Sequence, residues 1–153
     1  MYTNKFIGTA QPLTEADIAE AERTMGQPLP PDLRRHFLLY NGGVPERRYF
    51  VTTRGIQLGV SMFLTMCYGD PRSPTLEQIF TSLVHEKQLM PPHLLPFAEN
   101  AGGDFFCLDR RDQGVVYYTM DDCFEPATAA KRIADSLTEF VNGMVTEAQA
   151  CRR

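Results

Sequence analysis

No stretch of the chain approaches the roughly 20 consecutive apolar residues that a membrane-crossing helix needs. Residues 1–10 have neither the basic start nor the apolar block of a secretory leader, so the expected location is the cytoplasm and no membrane partner is expected. Cysteine is sparse, and Cys67, Cys107, Cys123 and Cys151 form no CxxC pair. His36, His85 and His93 are equally scattered, with no HxxxH spacing. Structural zinc uses paired ligands of that kind, so no metal site is expected. In the cytoplasm the thiols should be reduced and mostly buried, and each histidine reads as a surface or capping residue.

The catalytic signatures are missing as well. There is no GxSxG elbow, no GxGxxG or Walker loop and no HExxH helix. Asn41-Gly42-Gly43 reads as a helix end and Ala101-Gly102-Gly103-Asp104 as a strand connection. Neither leads from a strand into a helix, so neither cradles phosphate. Asp109, Asp112 and Gly114 lack the full ligand series and terminal Glu of a calcium loop. Asp121 and Asp122 are adjacent, and neighbours on an extended chain point opposite ways, which suits paired acid–base work poorly. Cys107 lies in an apolar run and reads as core, not nucleophile. No cofactor is expected.

Positive charge is also scarce where negative charge gathers. The net charge is −4, and residues 99–125 hold Glu99, Asp104, Asp109, Asp112, Asp121, Asp122 and Glu125 against Arg110 and Arg111 alone. A nucleic-acid partner needs a basic face, so none is expected. A basic protein partner fits better. Acidic turns that merely keep the domain soluble fit equally well.

What is present reads as one domain over residues 1–153, with its core at about 10–146. The composition is 43% hydrophobic and 22% charged, ordinary for a globular chain. Thr14 and Asp17 predict a capped helix running to about Met25 and stopped by Gly26. Pro30-Pro31 opens a second helix in which Leu33, Phe37 and Tyr40 share one face. Tyr49–Thr53 is a candidate strand. From Ile56 to Tyr68 the even positions are apolar throughout, a period of two with a bend allowed at Gly55 or Gly59. Thr75 and Gln78 form a capping box before an amphipathic helix that Pro91-Pro92 stops. Leu94–Ala98, Phe105–Leu108 and Val115–Thr119 predict an antiparallel meander, with the last two runs central. A closing helix is expected over 128–145, with Ile133, Leu137, Phe140, Val141 and Met144 on one side. Residues 149–153 should fray. Together these predict an α+β domain, mainly an antiparallel sheet with flanking helices.

Two blocks carry a resemblance. Leu13-Thr14-Glu15 followed by Leu29, Pro30, Leu33, Phe37, Tyr40, Asn41, Gly42 and Gly43 is similar to the N-terminal signature of the SUKH superfamily. Pro96, Phe97, Gly103, Asp104, Phe106 and Leu108 resemble its central "PFA…GGDxFCxD" hairpin. The chain departs from the family pattern in lacking tryptophan. The resemblance implies a single SUKH-like domain in which the motif residues are structural, with Asn41 and Asp104 capping amides in their turns. It also implies a non-enzymatic bacterial immunity protein. Its partner would be a protein toxin such as a basic nuclease or deaminase domain, bound as a monomer or weak dimer. The expected interface is Asp109, Asp112, Asp121, Asp122 and Glu125. An intracellular regulatory adaptor and an enzyme with a cryptic site are the alternatives.

Overall fold

The computed structural model describes residues 2–71 and 73–152. The chain opens with β1 (Phe6–Ile7) and then α1 (Glu15–Met25). Thr14 caps α1 through the Asp17 amide at 3.2 Å, and the Asp17 carboxylate accepts the Thr14 amide at 3.0 Å. Leu13 and Ile18 are both buried, stapling the entry, and Gly26 ends the helix at φ +74°. In α2 (Pro31–Leu39) proline occupies the first turn, where its missing N–H costs nothing.

The extended segment that follows is not one strand. β2 (Val44–Pro45) pairs with β1, and β3 (Tyr49–Val51) forms a hairpin with β4 (Gln57–Gly59). Gly55, at φ +82°, sits in its turn. The chain then crosses to β5 (Met62–Phe63). Val60, Phe63, Leu64, Thr65 and Met66 are all buried there, so both sides of this stretch are covered and the period of two is lost.

The main sheet is antiparallel in the order β5-β6-β7-β8-β9, with β6 Leu94–Glu99, β7 Phe105–Asp109, β8 Val115–Tyr118 and β9 Ala130–Ala134. The architecture is α+β, as the sequence predicts. β7 and β8 are interior and buried at every position, matching their apolar character on both faces. A bulge between Pro96 and Ala98 turns Phe97 into the core, where it meets Phe63 and Phe140. One side of the sheet is covered by α3 (Leu76–Phe80) and its π-helical continuation over Thr81–Glu86, and in the segment that follows the Leu89 carbonyl accepts the Tyr118 hydroxyl at 2.7 Å. The other side is covered by α5 (Leu137–Gly143), whose Phe140 packs on Phe106 and Phe50. Among the described residues no helix is long and apolar enough to cross a membrane.

Two expectations about the C-terminal part are corrected. The helix over 128–145 is broken: α4 (Pro126–Ala129) ends at once, β9 follows, and α5 restarts at a Ser136 cap. β8 is the reason. Its far edge would otherwise leave the backbone of a fully buried strand unpaired, a larger cost than the weak helical preference of residues 130–134. Of residues 149–153, expected to fray, 149–151 lie in α6 (Glu147–Cys151), capped by Thr146 and anchored where Gln57 Nε2 donates to the Ala150 carbonyl at 2.7 Å. Arg153 lies outside the described residues.

Candidate functional site

The five acidic residues expected to form one interface are divided between two ends of the sheet. Asp109 ends β7 and Asp112 lies in the turn to β8. Asp121, Asp122 and Glu125 follow the opposite end of β8, across about 13 Å of extended chain. Asp109 is only 5% exposed. Its carboxylate accepts the Arg111 amide at 2.9 Å and binds the guanidinium at 3.1 and 2.8 Å, and these contacts hold its pKa below the ordinary carboxylate range. Asp112 accepts the Gly114 amide at 2.9 Å and pairs with Arg132. These two carboxylates are engaged in building a turn.

The other three are free of cations. Asp121, Asp122 and Glu125 are exposed and form no ion pair among the described residues. Asp122 accepts the Thr119 hydroxyl at 3.0 Å. Between them stands Phe124, 85% exposed, while its neighbour Cys123 is buried and ties the loop down. Asp104 belongs to the same end. It accepts the Met120 amide and the Tyr117 hydroxyl, each at 2.9 Å, so it braces this loop and caps nothing in its own turn. That capping falls to Asn100, whose Oδ1 accepts the Gly102 and Asp104 amides. The sequence carried one signal for Phe124, a large apolar residue amid acidic ones where no strand or helix pattern needed it.

The N-terminal motif residues meet at a seam between α2, the segment before α1, and residues 63–66. Asn41 is buried. Its Nδ2 donates to the carbonyls of Gln11 at 2.9 Å and Met66 at 3.1 Å, and its Oδ1 accepts the Met66 amide at 2.8 Å. It thus stitches together distant segments instead of capping its own turn. Gly42 and Gly43 have φ +75° and +92°. A Cβ on Gly43 would lie 2.7 Å from the Ile7 carbonyl oxygen, and one on Gly42 2.5 Å from the Thr65 methyl. Gly103, at φ +89°, turns the β6–β7 hairpin. Leu29, Leu33, Phe37, Phe97, Phe106 and Leu108 are core, Pro96 is buried beside the bulge, and Tyr40 stacks on Phe6 at 4.6 Å. N-cap Pro30 leads into α2.

A family model described as SMI1 / KNR4 family (SUKH-1) matches residues 12–143, a span that contains α1, α2 and the whole main sheet. The chain belongs to that family. None of the curated proteins compared matches it.

Within this SUKH fold several side chains that could do chemistry are buried or engaged. Among the described residues no cluster of three or more His, Cys, Asp or Glu could hold a metal ion. All four cysteines are free, two of them buried. Burial pushes the Cys107 thiol up, and Cys67 is pushed up to about 11 by burial and the Glu77 and Asp17 carboxylates. His36 is not a surface residue, since it is 2% exposed. It lies three residues after Leu33 and beside Phe37, on the buried stripe of α2. Tyr2, Phe6, Phe37 and Phe63 ring it, its Nδ1 meets the Tyr2 hydroxyl at 2.9 Å, and burial lowers its pKa to about 3. His85 does cap: its Nε2 meets the Met25 carbonyl at the end of α1 at 3.0 Å.

Proposed function

We propose that this chain is a bacterial immunity protein, acting in the cytoplasm by binding a protein toxin stoichiometrically and neutralising it. The observation that carries the reading is Phe124, 85% exposed and flanked by Asp121, Asp122 and Glu125, none with a cation partner among the described residues. An exposed aromatic is costly in water, and burying it against a partner contributes about 1.5–3 kcal/mol. Such side chains form the energetic centre of protein contacts. The surrounding carboxylates would steer a basic toxin domain and speed its encounter. The buried turn carboxylate of Asp109 and the engaged Asp112 support that turn and stand outside the proposed contact. The inert state of Cys107 and His36 supports binding without turnover.

The experiment is a rescue assay. The C-terminal domain of the adjacent open reading frame is expressed in a reporter cell with and without this chain. Restored growth, lost with Phe124→Ala and weakened by reversing Asp121, Asp122 and Glu125 to lysine, is the expected result. Undiminished rescue by both variants would reject the loop as the interface. Killing that the wild-type chain does not relieve would reject the pairing.

A further inference from the structure

A second surface lies on the main sheet, adjoining the acidic loop at Thr119, and carries cations. The β3–β4 hairpin leans over the end of the sheet and leaves a groove of about 590 Å³ above β8 and β9. Its apolar part comes from Ile56, Leu58, Tyr117 and Ile133, and Ile56 is 55% exposed. Arg54 in the hairpin turn and Lys131 on β9 border it, and neither has a carboxylate at ion-pair distance among the described residues. Arg132 also lines it, but its guanidinium is held by Asp112 and Asp135. In a chain of net charge −4, two unpaired cations beside an apolar floor select for an acidic occupant.

The backbone supplies a second, independent observation. β9 is the last strand of the sheet, paired with β8 on one side only. Residues 131–134 make no backbone hydrogen bond beyond that pairing among the described residues. Such an edge is a template for another strand. Lys131 and Arg132 decide which strand. Two copies of β9 laid edge to edge would set these cations against one another, which disfavours self-pairing. An acidic strand meets the opposite situation.

We propose that the outer edge of β9 and the adjoining groove form a docking site for an extended acidic segment of a protein partner. That segment adds to the sheet as a further strand, with alternate apolar side chains over Ile133, Ile56 and Leu58 and carboxylates against Lys131 and Arg54. The site uses different residues from the toxin-binding loop, which it adjoins at Thr119.

The test uses the full chain and short synthetic peptides: one alternating Glu and Val, its Lys–Val counterpart, and the Glu–Val peptide interrupted by proline. Binding is followed by fluorescence anisotropy and by amide hydrogen exchange. The Glu–Val peptide should bind, slow the exchange of amides in 131–134, and weaken as salt is raised. Reversing both cations, Arg54→Glu with Lys131→Glu, should weaken it about tenfold, the sum expected for two exposed charge pairs. The Lys–Val and proline peptides should bind at least about tenfold more weakly. Failure of the Glu–Val peptide to bind would overturn the proposal. So would equal binding of the Lys–Val peptide, unchanged affinity in the double variant, protection mapping to the Phe124 loop, or dimerisation through β9.

Discussion

Burial of His36 makes the stability of this protein sensitive to mild acid. The ring is 2% exposed among Tyr2, Phe6, Phe37 and Phe63, with a pKa lowered from 6.5 to about 3 by desolvation. Among the described residues its hydrogen-bond partner is the neutral Tyr2 hydroxyl alone. The nearest charges on the same helix, Asp32 and Arg35, pair with each other and border the surface pocket beside the ring. Below about pH 6.5 the unfolded chain therefore binds a proton that the folded chain refuses. The penalty is absent above that pH and grows as pH falls, by at most ~1.4 kcal/mol per unit, until about pH 3. Between about pH 6 and pH 4 this amounts to about 2.5 kcal/mol, a large share of the ~5–15 kcal/mol that holds a domain folded. The melting temperature should drop by roughly 5–10 °C over the same range. The assay is urea denaturation at a series of pH values for the wild type and His36→Phe. Carboxylates with lowered pKa, such as Asp109 and Asp112, lose their contribution only below about pH 4–5, and the difference between the two curves cancels them. The variant should lose about 1 kcal/mol less than the wild type between about pH 6 and pH 5. Parallel curves, or a His36 ring that titrates near its ordinary value in the folded protein, would refute the argument.

Three further outcomes follow from the same structure. Gly43→Ala should destabilise by about 2–4 kcal/mol, since φ +92° is strained for alanine and its Cβ would meet the Ile7 carbonyl; a denaturation midpoint equal to wild type would contradict this. Asn41→Leu should cost about 2–3 kcal/mol or more, because it strands the Met66 amide and the Gln11 carbonyl, as equilibrium unfolding would measure. Under native conditions a thiol reagent should modify exposed Cys151 quickly and leave Cys107 untouched until the chain unfolds, a difference that timed mass spectrometry resolves.

Much of the architecture was legible because it is encoded locally. Thr14 with Asp17, and Thr75 with Gln78, announce their helices through contacts three residues apart, and both capping boxes are present. The apolar runs of β7 and β8 predict interior strands, and so they are. Residues 130–134 mislead for the converse reason. Ile133 falls in step with Leu137 and Phe140 on a helical stripe, yet β8 needs an edge partner, and that demand is visible only once the sheet exists.

The surface was far less legible. A run of acidic residues in sequence looks like one patch, but a strand between its halves carries them to opposite ends of the sheet. Charge counting does not distinguish Asp109, buried against Arg111, from Asp121, exposed with no ion pair among the described residues. Nor does spacing bring Arg54 and Ile56 of the hairpin over Lys131 and Ile133 of β9. The sequence by itself determined the α+β class, the helix caps, the glycines at seam and turn, and the family, since each rests on neighbours along the chain or on whole-chain pattern. Only the tertiary structure decided which carboxylates are free, that His36 is sealed among rings, that Phe124 is left in water and that β9 offers an open edge. Exposure and pairing are set by residues distant in sequence, and no local period records them.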